Sequence, residues 1–398
     1  MNIKKLFSPR QRRLIKKIYN DIFHHQPKIK SDYLVETIDT DNSFFGYYDI
    51  VPVNQDRILY LKLNKQIADI WIYDIVHRTK TRINKTFIWN WQQGCRLRWA
   101  KDGKSIYYND LRNTKLVSVK YNLVSKDELV FDMPFYDVDR REVYGLSLDF
   151  CRLGKKRPGY GYVVGEYCDP SVDELLDNGV ILVKLNTQEK KTVVRYRQLL
   201  DCYSLETVSE DIKKCYINHL SFSPSGVKFL FFWLMIQPNG IHRASLYVYD
   251  IEKEKLTLLE NELSVSHYTW KDDNTLLVTA YDQERNCRYY EYNIREKTRN
   301  IICEKVLTED GHPSYISENE IVTDTYPDKY GYERIKYVNI QNGVVQELLR
   351  VYHSYKVTGE QRCDLHPRLC DDGRCICFDA NISGKRQFML LKEWKNEE

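Results

Sequence analysis

The feature that most restricts this chain is a motif that recurs along nearly all of it. Five windows share one pattern: Arg96-Leu-Arg-Trp-Ala-Lys-Asp-Gly, His219-Leu-Ser-Phe-Ser-Pro-Ser-Gly, His267-Tyr-Thr-Trp-Lys-Asp-Asp-Asn, His312-Pro-Ser-Tyr-Ile-Ser-Glu-Asn and His366-Pro-Arg-Leu-Cys-Asp-Asp-Gly. Each reads as a short strand, a turn rich in Asp, Asn, Ser or Gly, and a second, apolar strand. Such turns between apolar runs specify hairpins. Weaker copies begin at Tyr47 and Tyr144. The repeat starts then lie near 47, 96, 144, 219, 267, 312 and 366, with spacings of 49, 48, 75, 48, 45 and 54. A period of roughly 40–50 residues with several strands per unit is that of propeller blades.

Later strands of the unit repeat as well, as Ile70–Asp74, Leu246–Asp250 and Tyr289–Asn293. The expected fold is therefore all-β: a seven-bladed β-propeller over residues 31–398, preceded within residues 1–30 by a short amphipathic helix. Six or eight blades also fit, because the two early repeats are degenerate. Closing the ring removes exposed sheet edges, and Tyr33–Ile38 beside the C-terminal strands is the expected closure. The long third interval holds an insertion from Arg152 to about Asn178, with 157–162 as a loop. Phe229 to Ile236, the most apolar stretch, reads as a buried strand.

A net charge of +4 does not argue for nucleic acid. The charge is uneven, however: Lys4, Lys5, Arg10, Arg12, Arg13, Lys16 and Lys17 precede the first acid, Asp21. Over residues 10–25, Leu14, Ile15, Ile18, Tyr19, Ile22 and Phe23 fall on one helical stripe flanked by these cations. Such a helix either lies on an anionic membrane surface or packs on the main domain. No apolar run is long enough to span a bilayer, and no secretion signal is visible. The cysteines, 11 in number, lack zinc-site spacing and read as free thiols of a reducing cytoplasm. The expected location is cytoplasmic, with peripheral contact at the inner face of the membrane as an option.

In a propeller the first strand of each blade lines the central channel, so equivalent residues of successive blades meet at one mouth. Here that residue is His in four successive repeats: His219, His267, His312 and His366. Neutral imidazole ligates first-row metals and titrates near neutrality, so the cluster reads as a metal site or a proton-transfer site. The alternative is a turn-fixing role inherited by duplication. His24, His25, His77, His242 and His353 show no such correspondence and read as surface residues. Arg362, Asp364 and Arg368 flank His366, Tyr326 lies in the run from Asp324 to Asp328, and Trp91 and Gln92 precede blade 2. Arginine grips a carboxylate in a bidentate fork, and aromatic rings such as Tyr160 in the insertion stack on a pyranose. The set suits an acidic sugar, while an internal ion-pair network through Arg362, Asp364 and Arg368 is the competing reading.

On Ser266-His267-Tyr-x-Trp270, Gly311-His312-Pro-Ser-Tyr315, Thr323 to Asp328, Trp91-Gln-Gln-Gly94 and Gln361 to Pro367, the chain resembles the oligogalacturonate lyase family of β-propellers. The resemblance runs over most of residues 43–394. Propellers of this pattern also resemble proteins encoded with bacterial surface-polysaccharide machinery. The resemblance implies a metal-assisted lyase that cleaves a uronate-containing oligosaccharide or polysaccharide by β-elimination, with a divalent ion, manganese. It makes His267 the base and His312, Gln361 and His366 metal ligands. The family's remaining ligand is a histidine, and Asp364 stands in its place; manganese accepts oxygen ligands. Arg362 would neutralise the carboxylate, and His219 would assist catalysis. Arg368, Tyr326, Trp91, Gln92 and Tyr160 would contact the sugar. A different class of function is a non-catalytic glycan-binding or scaffolding propeller in surface-polysaccharide biosynthesis at the inner membrane surface. A glycoside hydrolase using Asp324, Asp328 and Asp364 ranks last, since no spacing supports a carboxylate pair.

Overall fold

The repeated turns close seven antiparallel sheets, and these form the blades of a β-propeller in the computed structural model. The structure describes residues 28–165, 170–201, 208–354, 356–370, 373, 375–382 and 384–395, together with Gln11, Ile15, Tyr19 and Ile22. The innermost strands of blades 2 to 7 are Arg98–Trp99, Asp137–Val138, Cys215–Phe222, Ser264–Asp272, Ser314–Ser317 and Arg368–Leu369. In blade 1 the inner position is shared by Ser43–Phe44 and Val53–Asn54, both paired with Arg57–Asn64. The chain between them, with Tyr47 and Tyr48, enters the channel.

One turn geometry recurs because the same backbone bond closes it. The N–H of Ala100 donates to Ser105, that of Ser223 to Lys228 and that of Cys370 to Cys375. The N–H of Asp139 does the same to Tyr144, which corrects the reading of blade 3. Tyr144–Ser147 is its second strand, and Asp137–Val138 is the first. The insertion falls between the second and third strands and carries helices Phe150–Lys156 and Val172–Asp177. Two further short helices, Tyr196–Leu200 and Val208–Lys214, were not anticipated and link blade 3 to blade 4. The apolar run forms Lys228–Ile236, the second strand of blade 4, with Phe229, Leu230, Phe231, Phe232 and Trp233 buried.

Ring closure follows the expected route. Leu34–Asp39 pairs antiparallel with Lys385–Lys392 as the outer strand of blade 7. Ile29–Lys30 adds to the outer edge of blade 6 beside Val345–Tyr352. Of the N-terminal stripe, Gln11, Ile15, Tyr19 and Ile22 are helical. Leu14, Ile18 and Phe23 lie outside the described residues, as do Arg12, Arg13, Lys16, Lys17 and the Asp371 and Asp372 of the last hairpin turn. No helix among the described residues is long and apolar enough to cross a membrane.

Three expectations need correction. Cys370 and Cys375 form a disulfide across the last hairpin, so not all thiols are free. His353 is buried at 7% exposure and faces Glu333. His242 is also partly enclosed, with its Nδ1 against the Tyr216 hydroxyl.

A fully enclosed ion pair within the last blade hydrogen-bonds the backbone of the first. The Arg368 guanidinium meets Asp379 at 2.7 Å, and both side chains are 0% exposed. Arg368 also donates to the carbonyls of Tyr47 and Gly46, and Asp379 accepts from the Phe45 N–H. Removing one partner strands the other's charge in a low-dielectric interior. Asp379→Ala is expected to cost about 3–5 kcal/mol of stability, measured by urea unfolding; a loss under 1 kcal/mol would show that the pair does not hold the ring.

Candidate functional site

The histidines reach one space as His219 and His267 are turned at bulges and His312 and His366 lie just before their inner strands. His219 and His366 have φ of 57° and 46°, and the pairing register shifts between Asn218 and Ser221. An extra residue in one strand bends it and re-aims the side chain. The rings of His267 and His312 lie 4.1 Å apart between centroids, and those of His312 and His366 4.3 Å. Tyr47 sits among them, 4.9 Å from His366 and 5.3 Å from His219. Tyr48 is 5.0 Å from His312. Gly46 permits this entry: at φ 135° an added Cβ would lie 2.9 Å from the backbone of Gln93.

Each ring's partner decides what the ring can do. Asp324 accepts the backbone N–H of His312 at 2.8 Å and its Nδ1 at 2.8 Å, and its other oxygen accepts the N–H of His366 at 2.9 Å. His366 Nδ1 faces the Gly46 carbonyl at 2.9 Å. A carbonyl only accepts, so Nδ1 carries the proton there. In the neutral form of His312 and of His366, with the proton on Nδ1, Nε2 is the atom left to bind a metal. Both Nε2 atoms are buried without a hydrogen-bond partner among the described residues. Burial pushes His366 well below the usual histidine range, reinforced by His312 and Arg368. In His312 burial acts the same way but is outweighed by Asp324, so its pKa is raised.

His267 is held differently. Its Nδ1 is 3.0 Å from Asp310, which also accepts from the hydroxyls of Ser266, Thr279 and Tyr281. Burial disfavours the Asp310 charge, but His267 and the hydroxyl donors prevail and hold the carboxyl below its ordinary range. The other nitrogen of His267 is left to a cavity of about 730 Å³, which His219, Tyr160, Tyr326 and Arg157 also line. Burial, with the nearby His312, lowers His267 despite Asp310, and burial holds His219 well below the ordinary value. Both favour neutral rings.

Ligand atoms of His312, Asp364 and His366 all lie within 4.8 Å of one another. Two imidazoles, in their neutral form, and one carboxylate suit a divalent first-row ion. Asp364 is itself oriented: Gln92 donates to one oxygen at 3.1 Å and Arg362 to the other at 2.9 Å. Gln361 ends the exposed turn Gly359–Gln361, and its carbonyl accepts from Asn381. Arg362 is 45% exposed and lies over the Tyr326 ring at 5.5 Å. Arg368 is committed to Asp379 and the blade 1 backbone, so the network expected through Arg362, Asp364 and Arg368 is two separate pairs. The Trp91 indole packs against Gly159 of the insertion, and its carbonyl accepts from Arg386. Sequence reading passed over Asp310, Tyr47, Tyr48 and Arg157. Asp310 had a signal, since it immediately precedes the Gly311-His312 motif.

Seven blades around a channel with an enclosed histidine–carboxylate cluster at one mouth define a seven-bladed β-propeller with a candidate metal centre. In structure the chain is similar to oligogalacturonate lyase in complex with manganese, with a TM-score of 0.65 at 12% identity over 91% of this chain and 94% of that one. It is similar to the oligogalacturonate lyase of Vibrio parahaemolyticus, with a TM-score of 0.63 at 11% identity over 92% and 98%. The β-propeller domain of the Trilobed protease from Pyrococcus furiosus matches with a TM-score of 0.52 at 10% identity over 89% and 97%. At such identities the likeness is one of fold. No protein-family model and no curated protein matches the chain.

Ligand orientation by outer partners is typically worth 10–100-fold in metal affinity. Asp324→Ala is therefore expected to weaken manganese binding by about that factor, read by titration calorimetry on protein that retains its circular dichroism spectrum. Unchanged affinity would remove the trio from consideration as a metal site.

Proposed function

We propose that this protein is a metal-assisted lyase that cleaves uronate-containing glycans by β-elimination. The observation that carries the reading is a buried pairing of two chemistries within one mouth. His267, backed by Asp310, opens on a cavity, and the unpartnered Nε2 atoms of His312 and His366 lie close by, beside Asp364. The solved neighbours named oligogalacturonate lyase, one of them in complex with manganese, agree with it.

The proton α to a uronate carboxylate is weakly acidic, so the site must both accept it and stabilise the charge left behind. A divalent ion held by His312, Asp364 and His366 would neutralise the carboxylate and acidify that proton. The nitrogen of His267 that faces the cavity takes the proton, while Asp310 fixes the tautomer and supports the imidazolium. The C–H bonding pair becomes the ring double bond, and the C4–O4 bond breaks with its pair on the departing oxygen, which then takes up a proton. His219 and the Tyr326 hydroxyl line the same cavity as groups able to serve that oxygen. Arg362, braced on Asp364 and Tyr326, adds positive charge at the metal side.

Unsaturated uronate absorbs in the ultraviolet, so turnover is followed directly on uronate oligomers with manganese. His267→Ala is expected to lower kcat at least about 100-fold, the scale of a lost general base, and a chelator to abolish turnover. Wild-type protein loaded with metal that yields no absorbance across a panel of uronate oligomers would sink the reading.

A second reading concerns the N-terminal segment. Ile15, Tyr19 and Ile22 share a helical face and are 46–54% exposed. With the flanking basic residues this supports contact with an anionic membrane, where a scaffolding role in surface-polysaccharide assembly would also be served. Loss of co-sedimentation with anionic vesicles on deleting residues 1–28 is the expected result; equal binding without them excludes it.

A further inference from the structure

The insertion of blade 3 brings an arginine to the mouth that the proposed elimination does not use. Arg157 follows the helix Phe150–Lys156 and lines the cavity that holds His267 and His219. Its guanidinium lies 5.0 Å from the centre of the Tyr160 ring and beside the Tyr216 hydroxyl. Arg243 and Arg285 line the same cavity. Among the described residues, none of these three arginines forms an ion pair with a carboxylate. Other interior or channel arginines do: Arg96 with Asp49, Arg98 with Asp137 and Arg368 with Asp379. Glu262, Asp282 and Asp310 also line the cavity, but the groups beside the half-buried Arg157 guanidinium are the phenols of Tyr160 and Tyr216, so it forgoes hydration without a carboxylate in contact.

The loop that carries Arg157 is held rigidly. The Phe150 and Tyr162 rings stack 4.8 Å apart, and the Tyr162 N–H donates to the Phe150 carbonyl at 2.9 Å. The Gly159 carbonyl accepts from the Gln92 N–H at 3.2 Å, and Gln92 in turn holds Asp364. The insertion is thus tied to the candidate metal centre, yet it presents its own cation to the cavity. A bidentate guanidinium on a fixed loop matches a carboxylate or another oxyanion.

We propose that Arg157 forms an anion-recognising subsite separate from the His312–Asp364–His366 centre, taking an acidic group on a sugar unit next to the one that reacts. The inference rests on the uronate reading and extends it. The preferred substrate bears acidic groups on at least two neighbouring units, because one is taken at the metal centre and another by Arg157.

The test uses the full chain loaded with manganese and titration calorimetry. The probes are trigalacturonate, its methyl-esterified form and inorganic sulfate. Wild type is expected to bind the trimer at least about tenfold more tightly than the neutral ester, as charge-assisted bonds require. Arg157→Gln is expected to lose about tenfold in trimer affinity, with unchanged manganese content and circular dichroism. Arg157→Lys should recover part of that loss. A folded Arg157→Gln that binds the trimer like wild type overturns the subsite. If wild type binds no trimer, the uronate reading fails by itself, and sulfate then decides. Sulfate bound by wild type and lost in Arg157→Gln keeps an oxyanion subsite, whereas sulfate bound equally or by neither discards it. Should Arg157→Gln unfold, Arg157→Lys with wild-type affinity for both trimer and ester supports a cation at that position, and loss of ester binding alongside trimer binding counts against an anion-specific role.

Discussion

The candidate site depends on the Asp324 carboxylate. It ends the second strand of blade 6, yet it grips the backbone of His312 in its own blade and of His366 in the next. A carboxylate at 2% exposure is tolerable only when N–H donors saturate its oxygens. Here the donors are the very residues it orients, so satisfying the charge and aiming the imidazoles are one act. Asp324 takes the Nδ1 side of His312 and the Gly46 carbonyl takes that of His366, which leaves both Nε2 atoms without a hydrogen-bond partner among the described residues.

A second constraint acts from the neighbouring blade. Arg368 and Asp379 pull the turn at Gly46 down into the channel, and the Gly46 carbonyl is then in place for His366. Ring closure and ligand orientation therefore share atoms. The division of labour among the histidines follows from what each Nδ1 meets. Two are set behind Asp324 and Gly46 next to Asp364, and one is set behind Asp310 with its other face to the cavity. His219 has neither partner, and its Nδ1 is unbonded among the described residues.

Much of this was legible in the chain because repeats write their geometry locally. A turn of Asp-Gly or Ser-Gly between apolar runs needs only its neighbours to form, so a ring of about seven blades closed near Tyr33–Ile38 was legible, and the structure has seven with Leu34–Asp39 as the closing strand. Blade 3 was misread because its first strand, Asp137–Val138, is two residues long and carries little pattern. Arg368 was read as a sugar contact because proximity to His366 in sequence does not reveal direction: it points to Asp379, while Arg362 turns to Asp364.

The four histidines at one repeat address were set by sequence alone, since equivalent positions in a ring must converge on its axis. Their partners were not. Asp310 and Asp324 lie 43 and 12 residues from the histidines they orient, Gly46 lies 320 residues from His366, and Arg157 arrives on an insertion outside the repeat. Periodicity reports which residues face the channel. Only the closed ring decides which carboxylate, carbonyl or guanidinium stands behind or beside each one, because those contacts join separate strands, and often separate blades, through short-range bonds that leave no period in the chain.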